Sequence, residues 1–234
     1  MPTLFDIVVR GGPVMIPIMG LSVLTIACAL ERGLFWFQLL RSEARIAHDV
    51  LEAARYDLDE AARIAEKAQD LPIGRYLSAP LRLNQPTPET FRLAMEAAGD
   101  KEFVEMRKGD KLLETVVAVA PLLGLLGTVT GLIATFGNLN IGGGGTSEQA
   151  TKAAGGIGEA LITTAGGMIV AIIALLFYRL FVTLQSQQMN YFSDIGSELE
   201  LIYRQTWYEP IESQQDYAER RFQDIPPASA SRNS

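Results

Sequence analysis

The sequence is short of the side chains on which most catalytic and metal sites depend. Its 234 residues include one cysteine, Cys28, and one histidine, His48. A single cysteine excludes an internal disulfide framework and a cysteine-based zinc site, and a single histidine excludes arrangements that need two. Basic residues are also few, since 20 Lys and Arg stand against 27 Asp and Glu, for a net charge of -7. Because nucleic-acid binding depends on clustered Lys and Arg that meet phosphates, nucleic acid is not an expected partner.

Charge is missing altogether from three apolar stretches, Gly11–Leu30, Thr115–Leu139 and Ala160–Tyr178. About 20 apolar residues span the hydrocarbon core of a bilayer as a helix, so each stretch predicts a transmembrane helix. A cleaved signal peptide is the alternative for the first stretch, because the tripeptide 27–29 resembles a cleavage site. The stretch is longer than the about 7–15 apolar residues of a signal peptide, however, and apolar residues resume after Arg32, which favours a retained span.

These stretches predict an all-α integral membrane protein with three spans and long cytoplasmic helical extensions. The predicted segments are an outward-facing N-terminus with the first span (1–40), a cytoplasmic helical connection (41–114), the second span (115–139), a short outward-facing loop (140–158), the third span with its cytoplasmic extension (159–207) and a disordered tail (208–234).

The orientation follows from basic residues near the ends of the spans, because cytoplasmic loops are enriched in Lys and Arg. The long connection carries basic residues at both of its ends, and Arg179 closes the third span. The N-terminal stretch contributes only Arg10 and the short loop only Lys152. We therefore expect the N-terminus and the short loop to face outward, and the connection and the C-terminal tail to lie in the cytoplasm.

Helix start signals mark the long connection. Asp57 is typical of an N-cap, and the Thr-Pro pair at 87–88 is typical of a capped start with proline in the first turn. We expect one helix from Glu89 to Lys111 that feeds the second span. The glycine run 142–145 lacks the Lys-Ser/Thr of a phosphate-binding loop, so it predicts a flexible turn.

Small residues in the second and third spans predict close helix packing. Apolar side chains gain little by meeting each other in lipid, so helices associate where small residues let their backbones approach. Such packing serves contacts within one subunit as well as contacts between subunits. The predicted packing set is Gly124, Gly127, Gly131, Gly166 and Gly167.

Hydroxyls and one carboxylate are the candidate functional groups of these spans. Thr128, Thr163 and Thr164 either bond to a carbonyl one turn earlier or line a hydrated seam. Glu159 has two interpretations: an ion-handling group at membrane depth, or a carboxylate in the first helical turn that the helix dipole stabilises. Helical spacing places Thr163 nearer than Thr164 to the side of Glu159.

The spans contain no sign of an enzyme. An intramembrane protease needs a serine with a histidine, or paired aspartates, within the spans, and the sequence offers neither. We therefore expect no catalytic residue, no cofactor and no metal site.

Three segments together resemble one family: GPVMIPIMGLSVLTIACALERGLFW, APLLGLLGTVTGLIATF and GIGEALITTAGGMIVAIIALLFY. They are similar to the MotA/TolQ/ExbB family over about Gly11 to Tyr203, and the chain length is nearer to ExbB and TolQ than to the flagellar stator. Matched motif to motif, Thr128 takes the place of the family's threonine in GTV. Thr164 and Glu159 take the places of the threonine and the glutamate in EALIATA. Thr163 stands where alanine is commoner, which leaves the ion, proton or sodium, open.

The resemblance implies a subunit of a proton-driven motor in the bacterial inner membrane, with its N-terminus and short loop in the periplasm. It implies a homo-oligomer, with five copies around two single-span partners of the ExbD/TolR type that supply the ion-carrying aspartate. The pore-lining residues that it implies are Thr128, Thr164 and Glu159, and helical spacing adds Thr163 to the predicted pore-lining set. A TonB- or TolA-like transducer would then do work on the outer membrane, for uptake and biopolymer transport or for envelope integrity. A passive scaffold oligomer without ion flow is the alternative.

Overall fold

The computed structural model describes residues 11–137, 147–210 and 212, with the backbone alone for 147–150. These residues form six α-helices and a closing π-helical turn, and they contain no strand, so the predicted all-α class is confirmed. The helices are α1 Met15–Ala54, α2 Leu58–Lys67, α3 Pro72–Leu81, α4 Pro88–Met106, α5 Asp110–Gly137 and α6 Ser147–Ile202, and the π-helical turn is Tyr203–Tyr208. The predicted turn at 142–145 and the tail from residue 213 onward lie outside the described residues.

Three of these described helices are long and apolar enough to cross a membrane, and they cover residues 15–30, 115–137 and 160–178 of the three predicted stretches. The chain is therefore a multi-pass membrane protein. At about 1.5 Å per residue, the 40 residues of α1 extend about 60 Å, twice the about 30 Å of a bilayer core. The charge-free part of α1 ends at Leu30, because Glu31 and Arg32 follow it.

The first of two compact units contains the spans and comprises residues up to Trp36 together with 107–185. Its core lies where α1, α5 and α6 meet, and it consists of alanine, valine, isoleucine and methionine side chains. The buried members are Met15, Ile18, Val116, Ala120, Val170, Ala171 and Ala174.

The second unit comprises residues 37–106 together with the chain from Ser186. The Tyr76 hydroxyl donates to the Phe192 carbonyl over 3.0 Å, which ties α3 to the second half of α6. Both predicted helix starts are confirmed. The Asp57 carboxylate accepts from the backbone N–H groups of residues 59 and 60, and the Thr87 hydroxyl accepts from Thr90 N–H over 3.2 Å.

The single helix predicted from Glu89 to Lys111 is wrong. The chain leaves the helical path between Met106 and Asp110, where Gly109 has a φ of 87°. That left-handed conformation is open to glycine and strained for other residues, and it commonly ends a helix. The connection therefore reaches the second span through a bend.

Two further boundaries differ from prediction. Helix α6 begins at Ser147 rather than at Glu159, so residues 147–158 of the predicted loop are helical. Alanines supply the reason, because 150, 153 and 154 are strong helix formers ahead of the glycines. Helical structure also continues through Pro210, past the predicted start of the disordered tail at residue 208.

Candidate ion-pathway site

The glycines of the second and third spans bring α5 and α6 into near backbone contact. A side-chain carbon at Gly124 would stand 3.0 Å from the Cα of Thr164, and one at Gly167 would stand 2.5 Å from the Ala120 carbonyl oxygen. Farther along, a carbon at Gly131 would meet the Ala160 Cβ at 3.0 Å. Residue numbers rise along one helix as they fall along the other, so the two helices form an antiparallel pair.

Gly127 belongs to the same contact, because an added carbon there would overlap the Thr163 side chain. Gly166 does not belong to it. A carbon at Gly166 would stand 3.0 Å from the Met15 methyl group, so this glycine accommodates α1 instead. The adjacent glycines 166 and 167 thus let two different helices approach α6.

Thr164 and Thr128 lie on one side of this helix pair. The Thr164 hydroxyl donates across the interface to the Gly124 carbonyl over 2.8 Å. Thr128 follows Gly124 by one helical turn, and its hydroxyl donates within its own helix to the Leu125 carbonyl over 2.6 Å. Each hydroxyl donates its one hydrogen to a carbonyl, and its oxygen keeps lone pairs that can accept a hydrogen bond. The Thr128 and Thr164 oxygens can therefore accept from a hydrogen-bond donor or bind a cation.

Thr163 is placed differently from the prediction that put it on the wet side with Glu159. Its side chain is 1% exposed, and its hydroxyl donates to the Gly11 carbonyl over 2.6 Å and to the Glu159 carbonyl over 3.0 Å. The residue therefore lies inside the subunit, where it joins the third span to the start of the first.

Glu159 is not in the first turn of its helix. Helix α6 begins twelve residues earlier, at Ser147, so stabilisation of the carboxylate by the helix N-terminus is excluded. The side chain is half-buried and lies against Gly12, where an added carbon would overlap the carboxylate. Gly12 also has a φ of 70°, which a residue with a side chain rarely adopts.

Gly11 and Gly12 are site residues that sequence reasoning missed. Their spacing carries no signal, because the contact joins positions about 150 residues apart. The available signal was chemical, since a Gly-Gly pair directly before a helix start allows a close backbone approach.

A second polar cluster of the first unit contains Asp110, at the start of α5, and Gln185 of α6. The Gln185 amide donates to both oxygens of the Asp110 carboxylate, over 3.0 and 2.9 Å. Nearby, the Arg32 side chain is only 5% exposed, and its guanidinium lies 4.3 Å from the centre of the Phe35 ring. Among the residues that the structure describes, no three His, Cys, Asp or Glu side chains converge as a metal site would require.

Known proteins are similar to this chain in sequence. A profile of the MotA/TolQ/ExbB proton channel family matches residues 68–194, more than half of the chain. The chain belongs to this family. The match includes Thr128, Glu159, Thr163 and Thr164, whereas Gly11 and Gly12 precede it.

Individual relatives of the family agree with the profile. An ExbB-like biopolymer transport protein of Synechocystis is 65% identical over 209 residues, which cover 89% of this chain and 82% of the relative. A second ExbB-like protein from Synechocystis is 36% identical over 90% of this chain and 99% of its own length. The biopolymer transport protein ExbB of Salmonella typhimurium is 28% identical over 84% of this chain and 82% of its length. Family membership makes this a channel-type transport protein of the ExbB kind.

Proposed function

We propose that this chain is the housing subunit of a proton-driven motor in the bacterial inner membrane, and that a single-span partner of the ExbD/TolR type supplies the acid that carries the ion. The observation that carries the proposal is the charge content of the spans. In the described residues 15–30, 115–137 and 153–178, Glu159 is the only Asp, Glu, Lys or Arg. It lies about 30 Å along α6 from Arg179, near one end of the apolar stretch, so mid-membrane has no acid of its own.

The two threonine hydroxyls give the partner's acid a place to bind. A protonated carboxylic acid donates one hydrogen bond, and the Thr128 and Thr164 oxygens can accept it while their own hydrogens stay on the Leu125 and Gly124 carbonyls. An ionised carboxylate needs donors instead, so it would draw a hydroxyl hydrogen away from its carbonyl. The pair therefore favours the protonated acid and releases the ionised one.

Glu159 acts at the outer end of this path in the proposal. An ionisable side chain within a span is costly and faces a bundle interior or a water-filled cavity. Its place against Gly12 fits a carboxylate held at the mouth of the pathway between copies. Thr163 is the adjoining residue that holds the first and third spans together.

The orientation and the pathway complete the proposal. Basic residues flank the first and second spans on the side of the long connection, which assigns that side to the cytoplasm and the N-terminus to the periplasm. These residues are Arg41, Arg45, Arg107, Lys108 and Lys111. The names of the ExbB-like relatives describe biopolymer transport. The family resemblance implies that such transport, or uptake, is driven by work on the outer membrane through a TonB-like transducer. A TolA-like transducer bound to the complex would indicate envelope integrity instead.

Replacement of Thr128 by valine tests the pathway. Valine keeps the shape of the side chain and removes the oxygen, so we expect Thr128→Val to assemble normally and to lose proton flux. Flux is measured with a pH-sensitive dye in membrane vesicles that contain the protein and its native partners. Thr128→Ser restores the oxygen and should restore flux.

Thr130→Val is the matched control, because Thr130 lies on another side of α5 and its hydroxyl bonds only within that helix. Wild-type flux in Thr128→Val would contradict the pore-lining role.

Replacement of Glu159 by glutamine separates a role in ion handling from a role in holding the complex together. Lost flux in an intact complex would support its role at the mouth of the path, and a dissociated complex would assign it to assembly.

A further inference from the structure

A cavity of about 510 Å³ lies wholly within the second unit. Its wall is aromatic. The Phe91 and Tyr203 rings stack with centroids 4.3 Å apart and planes 8° apart, and the Tyr208 ring follows at 6.5 Å from Tyr203. The volume is within the range of about 300–1,000 Å³ that is typical of small-ligand sites.

The local backbone fixes these rings in place. Tyr203 and Tyr208 are the first and last residues of the π-helical turn, whose wider winding sets Tyr203, Trp207 and Tyr208 on one side. The Tyr203 hydroxyl donates to the Pro86 carbonyl over 2.5 Å, and the Trp207 indole N–H donates to the Ala54 carbonyl over 2.8 Å. The wall is therefore preorganised, which lowers the entropy lost on binding.

The charge around the cavity has one sign. Its lining includes the carboxylates of Asp57, Asp59 and Glu212, and none of its fourteen described lining residues is a Lys, Arg or His. Aromatic faces attract cations, and a guanidinium both stacks on rings and pairs with carboxylates in a planar fork. The aromatic rings and the carboxylates of this cavity therefore both favour a guanidinium ligand.

We infer that this cavity binds an arginine side chain carried by a peptide segment of a protein partner on the cytoplasmic side of the membrane. The guanidinium stacks on the partly exposed Tyr208 ring beside the buried Phe91–Tyr203 stack, and the carboxylates of Asp59 and Glu212 accept its hydrogen bonds. Asp57 adds negative charge while one of its oxygens caps α2. The assignment of the cavity to the cytoplasmic side rests on the orientation proposed above. Binding of the arginine does not depend on ion flow through the spans.

Tryptophan fluorescence measures this binding directly. The chain has two tryptophans, so Trp36→Phe leaves Trp207 in the cavity as the sole reporter. The purified full chain in detergent, without other chains, is titrated with N-acetyl tetra-arginine amide. We expect a saturable change in Trp207 emission, and no saturable change with tetra-citrulline, which has the same shape without charge.

Substitutions in the cavity test which of its residues contact the arginine side chain. Tyr208→Ala should weaken tetra-arginine binding about 2- to 30-fold, the range of a cation–π contact, and Tyr208→Phe should preserve it. Asp59→Asn should weaken binding several-fold, whereas Asp49→Asn, which alters a carboxylate on α1 outside the cavity, should leave it unchanged. Equal binding of tetra-citrulline, equal losses in Asp49→Asn and Asp59→Asn, or full affinity in Tyr208→Ala would each overturn the inference.

Discussion

Gly12 shows how much a single residue controls in this fold. It combines a φ of 70° with a position directly under the Glu159 carboxylate, so a side chain there meets two separate obstacles. Its neighbour Gly11 accepts the Thr163 hydroxyl through its carbonyl over 2.6 Å. The start of the first span is thereby fixed against the two polar residues of the third.

Gly12→Ala should therefore lower the thermal stability of the assembled protein. A left-handed conformation costs a non-glycine residue about 1–3 kcal/mol, and displacement of the carboxylate adds to that. For a chain of this size, about 2 kcal/mol corresponds to a fall of about 4–8 °C in Tm. Circular dichroism in detergent measures the change.

Gly20→Ala is the matched control on the same helix. A carbon at Gly20 meets nothing within 4 Å, and alanine is the better helix former by about 1 kcal/mol. Its Tm should stay the same or rise. Equal falls in the two variants would show that the Gly12 contact is not specific.

The division between local and distant contacts explains which residues could be predicted. Asp57 and Thr87 were identifiable as helix caps because their partners lie two or three residues away. Thr128 and Thr164 were identifiable by family motif. The burial of Thr163 was not, because it depends on Gly11, 152 residues away in sequence. A periodic pattern assigns a side chain to a helix face and does not say which helix covers that face.

At the scale of helices, Glu43 joins α1 to α6 within the second unit. Its side chain is a buried carboxyl, 4% exposed as a residue, and it accepts a hydrogen bond from the Gln188 amide, which is equally buried at 3%. It lies about 20 Å along α1 beyond Leu30, outside the charge-free stretch. Burial raises the pKa of Glu43 to about 7, against the smaller opposing effect of the Gln188 hydrogen bond.

The folded protein should consequently lose stability as the pH rises. The unfolded pKa is 4.5, so the folded state binds the proton more tightly than the unfolded state. The stabilisation is complete below pH 4.5 and is lost as the pH rises through about 7, by an amount on the order of 2 kcal/mol. Tm measured by circular dichroism from pH 5 to pH 8 should fall accordingly.

Glu43→Gln removes this titration and keeps a polar partner for Gln188. We expect a flatter dependence of Tm on pH and a higher Tm at pH 8 than in the wild type. Glu96→Gln, on α4 with its side chain 60% exposed and paired with an arginine, should leave the wild-type slope intact. An unchanged slope in Glu43→Gln would assign the pH dependence to a titratable group other than Glu43.

Helix boundaries were less predictable than helix existence. The three long apolar stretches specified their helices, since length and lack of charge are local properties. The bend at Gly109 was hidden because glycine tolerates a helical conformation as well as the left-handed one that it adopts here. Its actual neighbour is Cys28, whose sulfur would stand 2.8 Å from an added carbon. Only the packed structure shows that contact.

At the scale of the whole molecule, the spans bury too little of their apolar surface for a chain that stands alone in water. Large apolar side chains on all three helices are more than half exposed, including Ile16, Val23, Leu122, Ile133, Ile169 and Leu176. Lipid covers such surfaces, and so do other copies and partner spans. Glycines that already pack α5 against α6 within one subunit leave these side chains as the surface for further contacts.

Native mass spectrometry of the protein, extracted from its own membranes in mild detergent, should reveal what covers these faces. We expect five copies together with a smaller single-span chain that carries an aspartate within its span. The aspartate is required because the described spans supply no acid at mid-membrane, and several copies are required because one chain offers only one side of a pathway. Thr128→Val should give the same number of copies of each chain, since it removes an oxygen and keeps the shape.

The outcome separates the motor from a passive scaffold. A homo-oligomer that retains no acid-bearing partner, even after gentle cross-linking in the membrane, would leave no group to carry an ion past Thr128 and Thr164 and would favour the scaffold. A monomer would contradict both, because the apolar faces would then contact lipid alone. A co-purified TonB-like or TolA-like chain would in addition decide between uptake and envelope integrity, since the transducer determines where the work is done.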